Sequence, residues 1–447
     1  MSVEAKSMTK NGGFSEEALL ELSWSKNEPG WLRDMRLEAW RGYERMAIPS
    51  RKEEEWRRTD ISLLELGAAI PFAPPVEPVA RLEDLPVQLR SALGGNEGRG
   101  GLLVHQNSSG SHRWLTPELS ARGVVLTDLD TAVREHPELV KAHLGSQVLP
   151  EEGKFTALHY AFWSGGAFVY VPRNVEVELP IQAMSWADRE GLAVMPHTLI
   201  VLEEGAGLVF VDEFASPEGA GPTLANSVVE LSLGPGSRLQ YVALQRWGQS
   251  VYGLGTQRAE VRRDATLSSL SVVLGSRMTK SWVDSRLVEP GASVAMTGIM
   301  FADGKQRFHH HTLQDHQAPN TTSDLLFKAA LADHSRSEYS GLIRVHPDAQ
   351  KTDAYQANRN LSLSEHARAD SMPKLEIAAN DVRCTHGATV GPIDPEQLFY
   401  LMARGLPRRT AERMIVQGFF EPLMEKIPLE AVRERVREAV DQKLAAR

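Results

Sequence analysis

Leu202-Glu-Glu-Gly-Ala206 is the first of a series of short turns that decides the fold of this sequence. In each copy an aliphatic residue is followed four positions later by a small residue, with Gly, Pro, Asp or His between the two. The first three spacings are 31, 28 and 27 residues. A strand–turn unit that recurs at such intervals is typical of a solenoid. Clear copies begin at Leu202, Leu233, Val261, Val288, Leu331, Val345 and Leu363, and we interpret Leu313 as the start of a degraded copy.

Short runs of β-branched, aliphatic and aromatic residues precede or follow these turns, and helical periodicity is absent between residues 155 and 393. We therefore predict a mainly β fold with a solenoid core over residues 151–393. The alternative, a β-sandwich, would use a series of two-residue Asn-Gly or Asp-Gly hairpins, and we find Asp303-Gly304 but no such series. The predicted strands include Ala167–Val171, Thr198–Leu202, Leu208–Val211 and Val228–Leu231.

Helical patterns flank the predicted core on both sides. Ser15 precedes Glu16 and Glu17, as in a capped helix, and a second amphipathic helix follows Pro29. We predict a helical and mixed region over residues 1–150, with a proline-rich linker near residues 70–86. Residues 394–447 form a second helical region, in which Gly405 and Pro407 separate two helices.

Composition excludes several classes of protein. The chain has 447 residues and a net charge of −9. This charge argues against sequence-independent binding of nucleic acid and against a polybasic patch that binds membranes. Cys384 is the only cysteine, so no intramolecular disulfide can form, and a reducing compartment is favoured. We see no secretory signal in the first residues and no run long enough to span a membrane, so we expect a cytoplasmic protein.

The nucleotide-binding motifs are incomplete. Gly304-Lys305-Gln306 resembles the end of a phosphate-binding P-loop, but no glycine stands five residues before Gly304, and Gln306 replaces Ser or Thr. Gly234-Pro-Gly236 and Gly253-Leu-Gly255 lack the third glycine of a dinucleotide fingerprint. We therefore expect no ATP site and no NAD site in this chain.

Three consecutive histidines, His309–His311, are the most conspicuous local feature. On a strand, His309 and His311 share one face, and His310 lies on the other, so the three cannot all reach one metal ion. Metal ligation would need further ligands from another coil. The alternative is a polar ladder of histidines on the solenoid surface, and the sequence leaves both interpretations open.

Cys384-Thr-His386 is the strongest candidate for a metal or cluster site. Residues i and i+2 of a strand project from the same face, so the thiol and the imidazole would point together. Both groups are ligands for borderline metals and for iron in Fe–S clusters. Two ligands do not complete a site, and a free cysteine often only packs in a core. Any cluster held here therefore needs donors from elsewhere, including another chain.

Several long segments resemble the SufB/SufD family, the scaffold subunits of the SUF iron–sulfur cluster assembly machinery. The C-terminal block is long and specific, and the resemblance extends upstream through Gly166–Pro172 to Glu53–Trp56. Within this family the chain is similar to the SufD type, because Gln356–Asn360 lacks the cysteine that the SufB type carries there. The matching segments of the C-terminal block are Val345–Asp353, Asn358–Leu361, Pro373–Ile377, Asn380–Gly391 and Asp394–Leu401.

The resemblance implies a right-handed parallel β-helix between helical terminal regions. It also implies a non-catalytic scaffold that pairs with a SufB-like subunit and binds a SufC-like ATPase through its C-terminal helices. A transient iron–sulfur cluster would then form at the subunit interface, with His386 as the metal ligand and a weaker role for Cys384. A flavin requirement and a homodimer of the isolated chain stay open.

Two other functions compete with this interpretation. One is a SufB-like scaffold that has lost its cysteine and forms homodimers. The other is an enzyme that acts on polysaccharides, because parallel β-helices commonly host lyases and hydrolases. Such enzymes usually need a secretion signal and a groove lined with carboxylates.

Overall fold

The computed structural model of the chain describes residues 13–93, 98–219 and 221–445. Its N-terminal part contains both helices and strands. Ser15 caps the first helix by accepting a hydrogen bond from the amide of Ala18 at 3.1 Å. The elements of this part are α1 Glu16–Ser25, α2 Gly30–Arg45, α3 Val87–Leu93, β1 Gly101–Gln106, β2 Ser109–Leu115, α4 Pro117–Ala121, β3 Val125–Asp128, α5 Leu129–Glu135, α6 Pro137–His143 and α7 Lys154–Phe162.

The core is a β-solenoid, which confirms the prediction of fold class. Seventeen strands follow α7, and after the first few they run close to ten residues each. They are β4 Ala167–Val171, β5 Ile181–Trp186, β6 Ala193–Val194, β7 His197–Leu202, β8 Gly207–Ala215, β9 Leu224–Leu233, β10 Arg238–Arg246, β11 Tyr252–Val261, β12 Thr266–Val273, β13 Met278–Leu287, β14 Ser293–Ala302, β15 Arg307–His316, β16 Thr322–Leu331, β17 Arg336–Val345, β18 Asp353–Ser362, β19 Arg368–Ile377 and β20 Arg383–Pro392.

Alternate strands build two sheets, so each coil contributes one strand to each sheet. One sheet ends in β14-β16-β18-β20, which we call sheet 1, and the other ends in β15-β17-β19, which we call sheet 2. Neighbours from β4 onward pair in parallel, which excludes the antiparallel hairpins of a sandwich. The register partners Arg238, Thr266, Ser293, Thr322, Asp353 and Arg383 are 28, 27, 29, 31 and 30 residues apart.

The repeated turns connect one sheet to the other, and their small residue is buried. Ala206, Ser237, Ala265 and Ala292 are all fully covered, because the chain bends there against the coil below. The interpretation of Leu313 as the start of a degraded turn was wrong, since Leu313 lies inside β15. One turn, Ala302–Gln306, escaped the pattern because Gln306 replaces the small residue, and its side-chain amide donates to the carbonyl of Ser276 at 2.7 Å.

Helical regions cover the outer faces of the two sheets. Apolar side chains of α1, α2 and α7 pack on sheet 2, while the two last helices pack on sheet 1 through Val416, Phe420, Val432 and Val436. The C-terminal helices are α8 Pro395–Ala403, α9 Arg408–Met424 and α10 Glu430–Ala445. No helix among the described residues is long and apolar enough to cross a membrane.

A buried polar network joins the N-terminal region to the solenoid. His159 Nδ1 donates to the carbonyl of Asn226 at 2.9 Å, so its Nε2 accepts from His197 Nδ1 at 3.0 Å. His197 Nε2 lies 3.1 Å from Glu230 Oε2, which accepts its hydrogen bond. Glu230 also accepts from the amides of Gly145, Gln147 and Val148. Burial raises the pKa of Glu230, but these hydrogen bonds outweigh it, and the pKa is lowered.

We predict that Glu230→Gln lowers the free energy of unfolding by about 3 to 5 kcal/mol, because it removes the buried carboxylate that pairs with His197 and accepts from three backbone amides. Urea denaturation followed by tryptophan fluorescence measures this change. The matched control is Glu176→Gln, which removes an exposed ion pair with Arg238 and should cost less than about 1 kcal/mol. Equal losses in the two variants would contradict the role assigned to the network.

Candidate functional site

The C-terminal end of the solenoid is open. β19 and β20 are the last strands of their sheets, so each pairs with a neighbour on one side only. Most side chains of these two strands are exposed or half-buried, whereas those of β14 and β16 are mostly buried. Edge strands present unpaired N–H and C=O groups that can accept a strand from another chain. This end is therefore the natural place for an interface.

Cys384 and His386 lie on the inner side of the last coil. In the parallel register Ala354 stands beside Cys384 and Gln356 beside His386. Ala354 and Gln356 are buried in the interior, and in-register neighbours project to the same side of a sheet. The two side chains therefore face the space between the sheets, and no further coil of the described chain covers them.

The environments of the two side chains differ. The Cys384 thiol is half-buried against a small apolar cluster that includes Ile343 and Leu375. Burial raises the pKa of this thiol, and the nearby carboxylate of Asp353 raises it further. His386 is exposed. The neighbouring Gln356 is buried, and its Oε1 has no hydrogen-bond partner. The site thus offers one exposed imidazole, one protonated thiol and one unsatisfied amide oxygen.

These side chains alone do not complete a site for a metal ion or a cluster. No group of three or more His, Cys, Asp or Glu side chains in the described ranges could hold a metal ion. An Fe–S cluster is normally held by four protein ligands, mostly thiolates. Sequence reasoning found Cys384 and His386 by their alternation on a strand, but it missed Asp353 and Gln356. Asp353 and Gln356 could be placed beside Cys384 and His386 only from the register of β18 with β20, which depends on the length of the coil.

The three histidines of β15 lie away from this open end. His310 faces the interior, where Ser281 Oγ lies 2.6 Å from its Nδ1. His309 and His311 face outward, but residues 53–59 cover them: Thr59 Oγ1 is 2.8 Å from His309 Nδ1. Lys280 Nζ donates to His311 Nε2 at 2.8 Å. They therefore form neither a free surface ladder nor, among the described residues, a metal site.

Burial and the positive charge of Lys280 lower the pKa of these three histidines to about 3. They are therefore neutral at physiological pH. The hydrogen bond between His309 and Thr59, together with that from Lys280 to the carbonyl of Glu55 at 2.8 Å, holds the segment over residues 53–59 against sheet 2. Gly304-Lys305 lies in the turn between β14 and β15, without the helix that follows a P-loop.

An apolar patch lies beside the open end. On α8, Phe399 and Tyr400 are 73% and 58% exposed, and Met402 and Met414 of α8 and α9 are also exposed. A cavity of about 780 Å³ separates α8 from the last coil. Only Ile393 and Asp394 lie between β20 and α8. Large exposed apolar patches commonly mark protein–protein contacts.

Comparison with known proteins gives consistent matches over most of the chain. The family model described as SUF system FeS cluster assembly, SufBD core domain, matches residues 185–419. A second model, the SufBD protein N-terminal region, matches residues 104–183. An iron-sulfur cluster assembly SufBD family protein of Staphylococcus epidermidis is 30% identical over 426 residues, which cover 94% of this chain and 90% of the relative. Proteins with the same description from Staphylococcus haemolyticus and Staphylococcus aureus match with the same identity and coverage.

The environment of Cys384 predicts slow alkylation. Because burial and Asp353 raise the pKa of the thiol, the reactive thiolate is scarce near neutral pH, and the rate should rise with pH. Asp353→Asn should accelerate iodoacetamide labelling roughly twofold, since water screens a surface carboxylate. Cys384 is the only thiol, so mass spectrometry of the intact chain gives the rate directly.

Asp324→Asn is the control for this measurement. Asp324 lies on β16, two coils away from Cys384, and its loss should leave the labelling rate unchanged. A thiol that reacts as fast as free cysteine at pH 7 would contradict the environment described here.

Proposed function

This chain belongs to the SufBD family of the SUF iron–sulfur cluster assembly system, and we propose that it serves there as a SufD-type scaffold subunit. The observation that carries this proposal is the incomplete ligand pair, Cys384 and His386, on the uncovered inner face of the last coil. Such a scaffold performs no catalysis itself. It holds part of a nascent cluster, which is cargo to be passed on.

The SufD type is favoured over the SufB type by the absence of a cysteine in one segment. Residues Gln356–Asn360 lie on β18, next to the last strand, and Cys384 is the only thiol of the chain. A SufB-like partner would bring the cysteine that this chain lacks. An assembly that depends on free thiols suits a reducing compartment, and we propose the cytoplasm.

The partner docks on the open end of the solenoid. β19 and β20 have unpaired edges, and a strand from another chain can extend each sheet. Docking there would put the partner's donors opposite His386. An interface site needs only part of the ligand set from each chain, which agrees with the two groups present here.

His386 is the stronger ligand of the pair. Its imidazole is exposed, and neutral imidazole binds metal without losing a proton. The Cys384 thiol must first lose its proton, and its raised pKa makes that step less favourable. We therefore assign iron ligation to His386 and a secondary role to Cys384.

A SufC-type ATPase supplies the energy, and its docking site is the apolar patch on α8 and α9. α9 and α10 are anchored on sheet 1; for example, Lys328 Nζ donates to the carbonyl of Phe419 at 2.7 Å. α8 follows β20 after a two-residue link, and β20 carries His386. Closure of the ATPase would move α8 and thereby shift β20, which opens the interface to iron and sulfur.

His386→Ala, co-expressed with a SufB-like subunit and a SufC-like ATPase, should lower iron and acid-labile sulfide in the purified complex by roughly threefold or more, because one cluster ligand is lost. The complex itself should remain intact. The control is His346→Ala, which removes another partly exposed histidine, one coil earlier and outside the site. Normal cluster content in an intact His386→Ala complex would refute the assignment.

Phe399→Ser should weaken ATPase binding about thirtyfold, the equivalent of about 2 kcal/mol for an aromatic anchor at the centre of an interface. Co-purification and titration of the two purified proteins measure this effect. Trp24→Ser is the control, because Trp24 is 66% exposed on α1 and lies outside the α8 patch. An equal loss of binding in both variants would place the docking site elsewhere.

A further inference from the structure

Three arginines form a column on the outer face of sheet 2. Arg307, Arg336 and Arg368 are the first residues of β15, β17 and β19, and the register places them directly side by side. All three side chains are exposed. Neighbouring strands lie about 4.8 Å apart, so the column extends over about 10 Å.

This arrangement is costly without a counter-ion. Like charges directly opposite each other on neighbouring strands destabilise a sheet. Across the described ranges, none of the three arginines has a carboxylate within 4.0 Å. The next outward residues of β17 and β19, in contrast, have a partner of opposite charge: the guanidinium of Arg58 lies 3.7 Å from the carboxylates of both Glu338 and Asp370. Among the described residues, the column therefore has no ion-pair partner of its own, in contrast to the neighbouring Glu338 and Asp370.

A concave site lies at the Arg307 end of the column. A cavity of about 380 Å³ is lined by Arg277, Lys305 and Arg307, together with Tyr252 and a single carboxylate, that of Asp60. The amide of Arg307 donates to the carbonyl of Arg277 at 3.1 Å, which fixes the two side chains on adjacent coils. Three cations against one anion leave the cavity positive.

The turns that precede the column carry further charges. His334 and His366 stack with ring centroids 4.8 Å apart, and each lies two residues before an arginine of the column. Asp333 Oδ2 accepts from the amide of Gly304 at 2.9 Å, and Glu365 is exposed to solvent. These two carboxylates lie in the turns, beyond the strand positions of the arginines.

We propose that the cavity and the arginine column together bind a phosphate chain, the shared chemistry of inorganic oligophosphates and of nucleoside triphosphates. Arginine forks bind phosphate oxygens in pairs, and successive phosphates along the column would meet successive guanidinium groups. The column is too short to bind a nucleic-acid duplex, and the chain is acidic as a whole. The site binds and does not hydrolyse, because it lacks the P-loop backbone and its Mg²⁺ hydroxyl.

Isothermal titration of the full-length chain with tripolyphosphate, in about 50 mM salt to limit screening, tests this proposal. We expect one site per chain. Arg307→Gln/Arg336→Gln should raise the dissociation constant at least about tenfold, since two forked contacts are lost. The control, Arg173→Gln/Arg238→Gln, removes two equally exposed arginines elsewhere and should change it less than about twofold.

The thermal midpoint without ligand separates binding from folding. The column variant should melt at the wild-type temperature or above, because like charges have been removed. ATP and tripolyphosphate are compared as ligands, and the tighter of the two shows whether the site prefers a nucleotide or a free oligophosphate. Absence of tripolyphosphate binding, equal weakening in the control, or equally tight binding of citrate would each overturn the proposal.

Discussion

Parallel pairing of each strand with the strand one coil earlier is the constraint on which the rest of this structure depends. An inner strand such as β16 has partners on both edges, so its backbone groups are satisfied within the solenoid. β19 and β20 have a partner on one edge only, and their free groups must bond to water or to another chain. The end of the coil therefore has two properties at once. It exposes inward side chains that any further coil would bury, and it offers edges to which a partner can add strands.

The same register turns single sequence positions into columns. At the turns the column is a row of buried small residues, such as Ala265 and Ala292, because the backbone of the next coil passes close by. At the start of the sheet 2 strands the column is Arg307, Arg336 and Arg368, where like charges accumulate at the spacing of the strands. Cys384 and His386 differ from these examples, because they project into the space between the sheets at the last coil. The proposed cluster site uses inward positions of β20, and the proposed phosphate site uses outward positions of β15, β17 and β19.

The fold was predictable to the extent that it depends on local geometry. The turn pattern located seven of the connections between the sheets, and the Ser15 cap located the start of α1, because both rest on backbone conformation and short-range hydrogen bonds. The interpretation of Leu313 as the start of a turn was wrong, because so short a pattern cannot distinguish a turn from a polar strand. Alternation placed Cys384 and His386 on one face, but it could not tell whether that face is inner or outer. Their exposure depends on where the coil stops, and the burial of His309 and His311 depends on residues 53–59, some 250 positions earlier. The sequence close to these four residues therefore does not show how exposed their side chains are.

β20, the edge strand that carries the proposed ligand, is also the part of this fold that a partner can move most easily. α9 and α10 are fixed to sheet 1 by a continuous apolar contact and by ion pairs such as that between Arg435 and Glu213. α8, in contrast, exposes its aromatic side chains and is joined to β20 by Ile393 and Asp394 alone. A force on α8 therefore acts first on β20, which is hydrogen-bonded to a neighbouring strand on one side only, and reaches the core through it. Because inner strands would have to break two ladders to shift and β20 only one, displacement concentrates at the strand that holds His386. In the proposed scaffold function, the termination of the solenoid thus accounts both for the incomplete ligand set and for the control of access by an ATPase bound beside it.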